Sequence, residues 1–511
     1  MLSKVWSAAT LGIDAVRITI EVDAAQTQKP GFTMVGLPDA AVREAYSRVR
    51  SALHNCGFWL PPRYVTVNLS PADVKKEGSG FDLPIALGIL HACELLHEDQ
   101  IAGRVFVGEL SLDGTVAPVR GTLSISAALA RDNSVRELIV PAANANEAAA
   151  VRTVRVIGAP HLPALLRHLR AEVALPVAVS ETGSATVVDG ADFCDVRGQA
   201  QAKRALEVAA AGGHNILMIG PPGSGKTMLA KRLASILPHL SLDESIVTTK
   251  IHSVAGTLPS GSGLLARRPF RAPHHTISTA GLVGGGTPPR PGEVSLAHHG
   301  VLFLDELAEF RRDTLDVLRQ PMEDGIVTIG RVTRTVTFPS RFTLAAALNP
   351  CPCGFFNDGR RECICAAGQI SRYLAKISGP LLDRIDLQVE VPALTPEEIA
   401  STAAGEASAA IRDRVETARQ IQRDRFRRSQ AECNAEMSTR QLRRYCELAP
   451  SSRRLLEHAV ARLGLSARGY DRVLKVSRTI SDLAASATIN SAHVAEAVQY
   501  RALDKAYFRS G

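Results

Sequence analysis

GPPGSGKT (residues 220–227) matches the phosphate-binding pattern G-x-x-x-x-G-K-[ST], which is typical of an α/β nucleotide-binding fold. Its glycines let the backbone curl so that N–H groups point inward at phosphate oxygens, and the helix that follows adds its positive N-terminal end. The apolar run NILMI (215–219) predicts a buried strand before the loop, and TMLAKRLASIL (227–237) predicts a helix after it. The residues expected to surround the phosphates are Gly220, Pro221, Pro222, Gly223, Ser224, Gly225, Lys226 and Thr227.

Two carboxylates follow the apolar run VLFL (301–304), which predicts a second buried strand. Open α/β sheets bind ligands at the carboxyl ends of their strands, where Asp305 and Glu306 are expected. In a site for Mg·ATP, Lys226 would reach the β and γ phosphates and Thr227 would offer its hydroxyl to Mg²⁺. Asp305 would hold Mg²⁺ through water, and Glu306 would polarise the attacking water as general base. The alternative is a solvated acidic turn, and the upstream loop favours the catalytic interpretation.

Two further polar residues are candidates for contact with the γ-phosphate. Asn349 ends the run FTLAAALN, a third expected strand, where its amide could bind the γ-phosphate or the attacking water. Arg384 in SGPLLDRIDL could complete the site of a neighbouring subunit as an arginine finger. The alternatives are an ordinary turn asparagine and a surface ion pair of Arg384 with Asp383 or Asp386.

Residues 396–511 are rich in Ala, Arg and Glu, and several amphipathic helices fit them, so a helical domain is expected. Arg468 in LSARGYDRVLKVSRTI sits just before one of the expected helices. From there it could fold back onto the γ-phosphate. Arg472, one helical turn further on, is the rival for this role.

The chain has 511 residues, a length that suits about three domains. The alternation of strand-like and helical segments indicates where the domain boundaries lie. Residues 1–175 alternate strand-like runs such as VRITIEV and YVTVNL with helical stretches, which predicts an α/β domain. Residues 176–192 are small and polar, as in a linker. Residues 193–395 alternate strand and helix again and form the expected α/β nucleotide-binding core, interrupted by a Gly/Pro-rich insertion at 281–293.

Composition is that of an ordinary globular protein, with 45% apolar and 22% charged residues. The net charge of +8 and pI of about 9.1 fit a polyanionic partner, but proteins without one also have such values. No apolar run reaches the roughly 18 residues of a membrane span, so no membrane partner is expected. The N-terminus lacks a continuous apolar run and carries Asp14 and Glu21 early, unlike a signal peptide. We therefore expect a cytoplasmic protein.

Four of the nine cysteines form two C-x-C pairs within fifteen residues, at Cys351, Cys353, Cys363 and Cys365. An odd number of cysteines argues against a disulfide framework. Four neighbouring thiolates suit tetrahedral Zn²⁺, although the spacing is not the commoner C-x₂-C. Free buried cysteines and redox-active pairs are the alternatives to a structural zinc site.

Two His-His pairs, His274-His275 and His298-His299, are a second possible set of metal ligands. Adjacent side chains on an extended segment point in opposite directions. The pairs are therefore expected to take interface or hydrogen-bonding roles rather than to bind a metal.

The motifs GPPGSGKT, RAPHHTIS, GEVSLAHHGVLFLDEL, NPCPCG, SGPLLDRIDL and SARGYDRVLKVSRTI occur in this order. Together they resemble the ComM/YifB family of magnesium-chelatase-like AAA+ ATPases over nearly the whole chain. The resemblance implies a Lon-protease-like N-terminal domain, an AAA+ core, a C-terminal helical lid domain and hexameric rings. It implies that Asn349, Arg384 and Arg468 are sensor 1, the arginine finger and sensor 2. The ComM branch is similar to a DNA helicase that drives branch migration during recombination of transforming DNA.

A Lon-type protease requires a nucleophilic serine activated by a lysine, and this pair is not expected here. The stretch that matches the serine-bearing turn is GFDLP (80–84), and it places Asp82 at about the position of the nucleophile. Ser79 is nearby but offset. The lysine would fall within residues 120–130, which contain none, and Ile125 stands at about its place. Without a base a serine is an ordinary alcohol, so we expect the domain to be catalytically inactive.

DNA contacts are expected from basic loops, because a motor grips the sugar-phosphate backbone with Arg or Lys independently of sequence. The Gly-rich insertion and the run VTIGRVTRTVTF (327–338), a predicted hairpin, are candidates for loops that face a pore. A turn in the N-terminal domain is another, and simple surface loops are the alternative for all three. The basic residues concerned are Arg290, Arg331, Arg334, Lys75 and Lys76.

The favoured hypothesis is a hexameric, ATP-driven DNA translocase that moves branched junctions. One rival is a motor that powers metal insertion into a tetrapyrrole, against which the extra N-terminal domain, the C-x-C pairs and the basic pI count. A second is an ATP-dependent protease or remodelling factor, which the missing Ser/Lys pair disfavours. A third is a nucleotide-switched scaffold, and the intact Glu306 and Arg384 argue instead for turnover.

Overall fold

The structure is a computed structural model, and it describes residues 2–27, 29–76, 78–180, 192–259, 261–331, 334–400, 405–429, 431–503 and 507–508. Most of the expected linker 176–192 lies outside these residues, as do the side chains of Arg331 and Arg334. The chain is a mixed α/β protein with a helical C-terminal region. None of the helices in the described part of the chain has the length and apolar content to span a bilayer.

The N-terminal region is built on a seven-stranded sheet in the order β3-β4-β2-β1-β5-β8-β9. Its longest pair is antiparallel and runs in register from Leu2↔Asp23 to Leu11↔Asp14. The strands of this region are β1 (Leu2–Leu11), β2 (Asp14–Gln26), β3 (Gly31–Val35), β4 (Arg63–Ser70), β5 (Arg104–Phe106), β6 (Glu109–Leu110), β7 (Val116–Ala117), β8 (Glu137–Pro141) and β9 (Arg155–Ala159), with β6 and β7 forming a separate ribbon.

The helix Asp82–Ala92 is the centre of the N-terminal core, because every one of its residues is buried. A helix that is apolar all round is expected to be covered on all sides. Gly88 allows it to approach β2 closely, since a Cβ there would lie 2.6 Å from Cγ2 of Val22. The other main helices of this region are Ala40–Asn55, Thr122–Leu129 and Leu162–Leu169.

The second region contains a five-stranded sheet in the order β11-β14-β17-β10-β18, with all neighbours parallel. The strands are β10 (Ile216–Ile219), β11 (Phe270–Arg271), β12 (Gly284–Gly285), β13 (Arg290–Pro291), β14 (Val301–Leu304), β15 (Ile326–Arg331), β16 (Arg334–Pro339), β17 (Thr343–Leu348) and β18 (Leu387–Glu390). Register pairs Ile219 with Leu348 and Leu304 with Ala346, so β10, β14 and β17 end at one edge. This edge receives the phosphate-binding loop, the two carboxylates and Asn349.

Two antiparallel hairpins project from this core, β12–β13 and β15–β16. The second confirms the predicted hairpin. The two lie side by side, since a Cβ on Gly284 would come within 2.9 Å of the Ile329 side chain.

The C-terminal region is helical, as predicted, and packs on the sheet through one continuous apolar core. Its main helices are Ser408–Phe426, Thr439–Tyr445, Pro450–Leu463, Ala467–Leu483 and Ser491–Gln499. Arg468 therefore lies inside the first turn of a helix, rather than before it as expected, because Ser466 is the N-cap and accepts from Gly469 N–H.

Candidate nucleotide-binding site

The phosphate-binding loop joins β10 to the helix Lys226–Ile236. Gly223 and Gly225 have φ angles of +77° and +90°, which side-chain-bearing residues rarely adopt. Gly220 is required for space, because a Cβ there would lie 2.1 Å from the carbonyl oxygen of Val391. The local sequence therefore produces a curled loop at a helix N-terminus, the arrangement that binds anions.

Lys226 points back into this loop and is buried. Its Nζ donates to the carbonyl oxygens of Gly220 and Pro221 at 2.8 and 2.9 Å, and to Oδ1 of Asn349 at 3.2 Å. Burial lowers the pKa of Lys226 to about 8, against the opposing effect of Asp305 and Glu306. A buried ammonium that has only neutral acceptors fits an anionic ligand, because phosphate oxygens would supply the missing charge.

Thr227 and Asp305 lie side by side, with Thr227 Oγ1 donating to Oδ2 of Asp305 at 2.6 Å. The other carboxylate oxygen of Asp305 accepts the N–H of Glu306 at 3.0 Å. A hydroxyl and a carboxylate at the mouth of a phosphate loop are the oxygen ligands that Mg²⁺ prefers. The residues present therefore fit Mg·ATP.

Glu306 has a φ of +51°, an uncommon conformation for a residue with a side chain. Such strain is concentrated at functional sites. The turn presents a half-exposed carboxylate whose Oε2 lies 3.7 Å from Nδ1 of His275. His275 was not expected beside the carboxylates, since it comes from an irregular segment with no periodicity to place it.

The expectation that adjacent histidines point apart is wrong for both pairs. The ring centroids lie 4.1 Å apart in His274–His275 and 4.0 Å apart in His298–His299, because both pairs lie in turns and not in extended strands. A hydrogen-bonding role is present for His298, whose Nδ1 accepts the backbone N–H of Arg341 at 2.9 Å.

Among the residues that the structure describes, no hydrogen bond or ion pair joins the Arg384 side chain to the phosphate-binding loop of its own chain. Its guanidinium pairs with Oε1 of Glu323 at 2.5 Å and donates to the carbonyl of Pro380 at 2.7 Å. The ion pair considered from sequence, with Asp383 or Asp386, is not the one formed. Arg384 Nε is buried and has no hydrogen-bond partner among the described residues.

Arg472 is engaged elsewhere and is not available for a phosphate. Its guanidinium contacts Oδ1 of Asp386, a buried carboxylate that also accepts the N–H of Asn215 at 3.0 Å. Arg468 is exposed and forms no hydrogen bond or ion pair within the described ranges. Of the two rivals, Arg468 is therefore the one free to reach a nucleotide.

Asp82, expected at about the position of a protease nucleophile, forms a buried ion pair in the N-terminal region. Asp82 is fully buried and accepts from Nε and Nη2 of Arg48 at 2.8 and 2.9 Å. Ser79 instead donates to Glu109, and Ile125 is part of the apolar core. Asp82 is thus held in a structural contact, without a hydroxyl to activate.

The expectation that Lys76 contacts DNA phosphates is wrong, because its side chain is buried and donates to the carbonyl of Pro71. Lys75 is exposed, and so is Arg290 on the first hairpin.

The four cysteines of the C-x-C pairs are brought together, with all four Sγ atoms within 4.8 Å of one another.

Family models match three consecutive parts of the chain. The model for magnesium chelatase subunit ChlI matches residues 192–399, and two others, for subunit ChlI of Mg-chelatase and for the ChlI C-terminal region, match 20–144 and 405–501. Competence protein ComM of Haemophilus influenzae is 45% identical over 507 residues, which is 98% of each chain. The uncharacterised protein YifB of Escherichia coli is 44% identical over 505 residues, 99% of this chain and 98% of its own. An archaeal Lon protease of Methanothermobacter thermautotrophicus is 39% identical over 70 residues, 13% of this chain and 11% of its own.

Proposed function

This chain belongs to the ComM/YifB group of the magnesium-chelatase ChlI family, and from that premise we propose that it is an ATP-hydrolysing, ring-forming DNA motor. The observation that carries the proposal is the cluster of Lys226, Thr227, Asp305 and Glu306 at one sheet edge. Each has the chemical type that phosphoryl transfer requires at its position.

In the proposed reaction, Lys226 binds the β and γ phosphates and exchanges its carbonyl acceptors for phosphate oxygens. Thr227 and Asp305 hold Mg²⁺, which when bound neutralises developing charge on the phosphates. Glu306 accepts the proton of the attacking water, and Asn349, already in contact with Lys226, orients that water.

We propose that the site is completed between subunits of a hexamer. Arg384, with its unpartnered Nε, is the finger that reaches a neighbour's γ-phosphate after releasing the half-exposed Glu323. Arg468, exposed at the start of its helix, is the sensor that the lid brings to the nucleotide. A finger supplied by a neighbour explains why Arg384 does not contact the loop of its own chain.

DNA is the proposed substrate, and the two adjacent hairpins β12–β13 and β15–β16 are the gripping elements. Arg290 on the first is exposed, and Arg331 and Arg334 close the second. A relative named competence protein supports a role with incoming DNA, and the family resemblance supports branch migration during homologous recombination.

The N-terminal domain, residues 1–175, is proposed to have the Lon-protease fold without the activity. The short match to an archaeal Lon protease supports the fold, and the buried Asp82–Arg48 pair argues against the chemistry. We place the ATPase core at 193–395, after a linker at 176–192, and the helical lid at 396–511. The whole assembly is proposed to act in the cytoplasm.

The test is an ATPase assay with and without a four-way DNA junction at low salt, followed by strand displacement on gels. We expect DNA to stimulate hydrolysis, and the branch to migrate only with ATP. Lys226→Ala should abolish ATP hydrolysis and branch migration while leaving the circular dichroism spectrum unchanged. Arg468→Ala removes the charge of the proposed sensor, and Arg468→Lys, which keeps that charge, is its conservative control. Protein that hydrolyses ATP but neither binds DNA nor responds to it would contradict the DNA assignment and favour the chelatase-type motor.

A further inference from the structure

The two C-x-C pairs form a compact sulfur cluster on the loop between β17 and the helix Ala367–Leu374. Cys351 Sγ lies 3.3 Å from Cys353 Sγ and 3.7 Å from Cys363 Sγ, and Cys353 Sγ lies 3.6 Å from Cys363 Sγ. Cys365 completes the group within 4.8 Å. Four side chains from two separate turns therefore converge on one point.

These separations match one tetrahedral ion. With Zn–S bonds of about 2.3 Å, the edge of a sulfur tetrahedron is about 3.8 Å. A disulfide requires about 2.05 Å, and all four thiols are free. An iron–sulfur cluster is also held by four cysteines, but it distributes their thiolates over separate irons and so places the cysteine sulfurs further apart.

The cluster also lies directly against the nucleotide loop. Cys351 is only two residues beyond Asn349, whose side chain contacts Lys226 at 3.2 Å. The turn that follows brings Gly354 onto Pro222, so closely that a Cβ at 354 would lie 2.4 Å from Pro222 Cδ. Gly354, which directly follows the first cysteine pair, has a φ of +85°, a conformation that favours glycine.

We propose that one Zn²⁺ ion is bound by Cys351, Cys353, Cys363 and Cys365. The zinc-bound turn packs against the phosphate-binding loop and stabilises the loop conformation that binds ATP. Without the ion, four thiols replace the charged bonds that close the turn, and Gly354 loses its fixed position against Pro222. Asn349 is then free to move with the loop that follows it. The effect on nucleotide rests on the ATP site proposed above, whereas zinc binding itself does not.

Zinc content is measured first, by elemental analysis of full-length protein purified without chelators and without nucleotide or DNA. We expect about one zinc per chain. Cys365→Ser should lose the ion, Cys365→His should keep it, and Cys194→Ser, which changes a cysteine outside the cluster, should not differ from wild type. Absence of zinc, or iron in its place, would overturn the assigned ion.

Nucleotide affinity is measured next, with a fluorescent ATP analogue and the same variants. Cys365→Ser should bind it about fivefold more weakly or worse, and Cys365→His should restore binding. If Cys365→Ser does not fold, wild-type protein is used instead. Its metal is removed with a thiol-reactive mercurial and the thiols are then reduced, and nucleotide affinity is compared before and after addition of ZnCl₂. If zinc can be removed and restored without any change in nucleotide affinity, the proposed effect of zinc on the phosphate-binding loop is wrong, although the zinc site itself stands. Lys226→Ala should lose ATP binding but keep its zinc, which would show that the zinc site does not depend on the nucleotide site.

Discussion

Replacing Arg472 with alanine tests whether the C-terminal helical region is fixed to the five-stranded sheet through one buried carboxylate. Asp386 precedes β18 and is 3% exposed, while Arg472 belongs to the C-terminal helix Ala467–Leu483 and is 20% exposed. Burial by itself would raise the pKa of Asp386. The charge of Arg472, with His214 and the Asn215 N–H, outweighs burial and holds that pKa well below its ordinary value.

The size of the effect follows from what remains around Asp386 in the variant. Removing one partner of a buried ion pair costs about 3–5 kcal/mol, because the other charge stays buried. Asp386 keeps the Asn215 N–H, and water can reach part of the vacated space, so we expect the lower end, about 3 kcal/mol. At about 2 °C per kcal/mol for a large domain, the Tm of the core and lid should fall by about 6 °C.

The assay is thermal unfolding followed by circular dichroism, for Arg472→Ala, Asp386→Asn and the double variant. The second substitution should cost much less than the first, because the pair is already broken. Arg468→Ala, on the exposed face of the same helix, is the control and should change stability by less than about 0.5 kcal/mol. A Tm of Arg472→Ala indistinguishable from that of Arg468→Ala would refute the reasoning.

The same pair predicts an acid dependence. Because the pKa of Asp386 is lowered by folding, its contribution to stability is present above the unfolded value of about 3.9 and is lost as the pH falls through the lower folded value. The stability of Arg472→Ala should therefore fall less steeply in acid than that of wild type. An equal slope in both proteins would contradict the lowered pKa.

Three further substitutions test other parts of the molecule. Glu306→Gln should still bind ATP but release phosphate about 10²–10⁴-fold more slowly, and near-normal turnover would exclude Glu306 as the base. Arg48→Ala should destabilise the N-terminal domain by about 3 kcal/mol in thermal unfolding, because Asp82 keeps a buried charge; combining Arg48→Met with Asp82→Leu should recover much of this loss. Arg290→Gln should reduce the slope of log DNA affinity against log salt by about 1, and an unchanged slope would place DNA elsewhere.

The core of the ATP site could be predicted from sequence because each of its parts follows a buried parallel strand. Such strands are short apolar runs, and β14 has the bounds that its sequence predicted. Once three strands are parallel, their carboxyl ends must meet, and this alone brings Asp305 and Asn349 to the loop. The proximity of Lys226 and Asn349 therefore follows from the strand arrangement, without any knowledge of side-chain packing.

Other features were hidden because their signal is not periodic. The strand β1 lacks an alternating apolar pattern, because two of its inward positions are Ser3 and Ser7, which are buried although polar. Ser3 is tolerated because its hydroxyl contacts Nδ1 of His91 at 2.8 Å. Arg384 pairs with Glu323 of the short helix Arg319–Asp324, and Glu306 lies beside His275 of an irregular segment. Both partners are distant in sequence, and no local pattern encodes such contacts.

The carbonyl oxygen of Arg384 joins its segment both to the residue before β10 and to the C-terminal helix Ala467–Leu483. Asn215 precedes β10, and its side chain donates to the carbonyl of Arg384 at 3.0 Å and accepts the N–H of Leu344 at 2.8 Å. Arg472 of the lid donates to the same Arg384 carbonyl at 3.2 Å. These bonds hold the backbone at Arg384, whereas its side chain is held by an ion pair that is half open to water. In the proposed exchange, the side chain can leave Glu323 for a neighbour's phosphate while both carbonyl bonds persist, because those bonds hold the backbone and not the guanidinium. One of them joins the segment to Asn215 and the other joins it to Arg472, so a movement of the Arg384 backbone would act on β10 and on the helix Ala467–Leu483 alike.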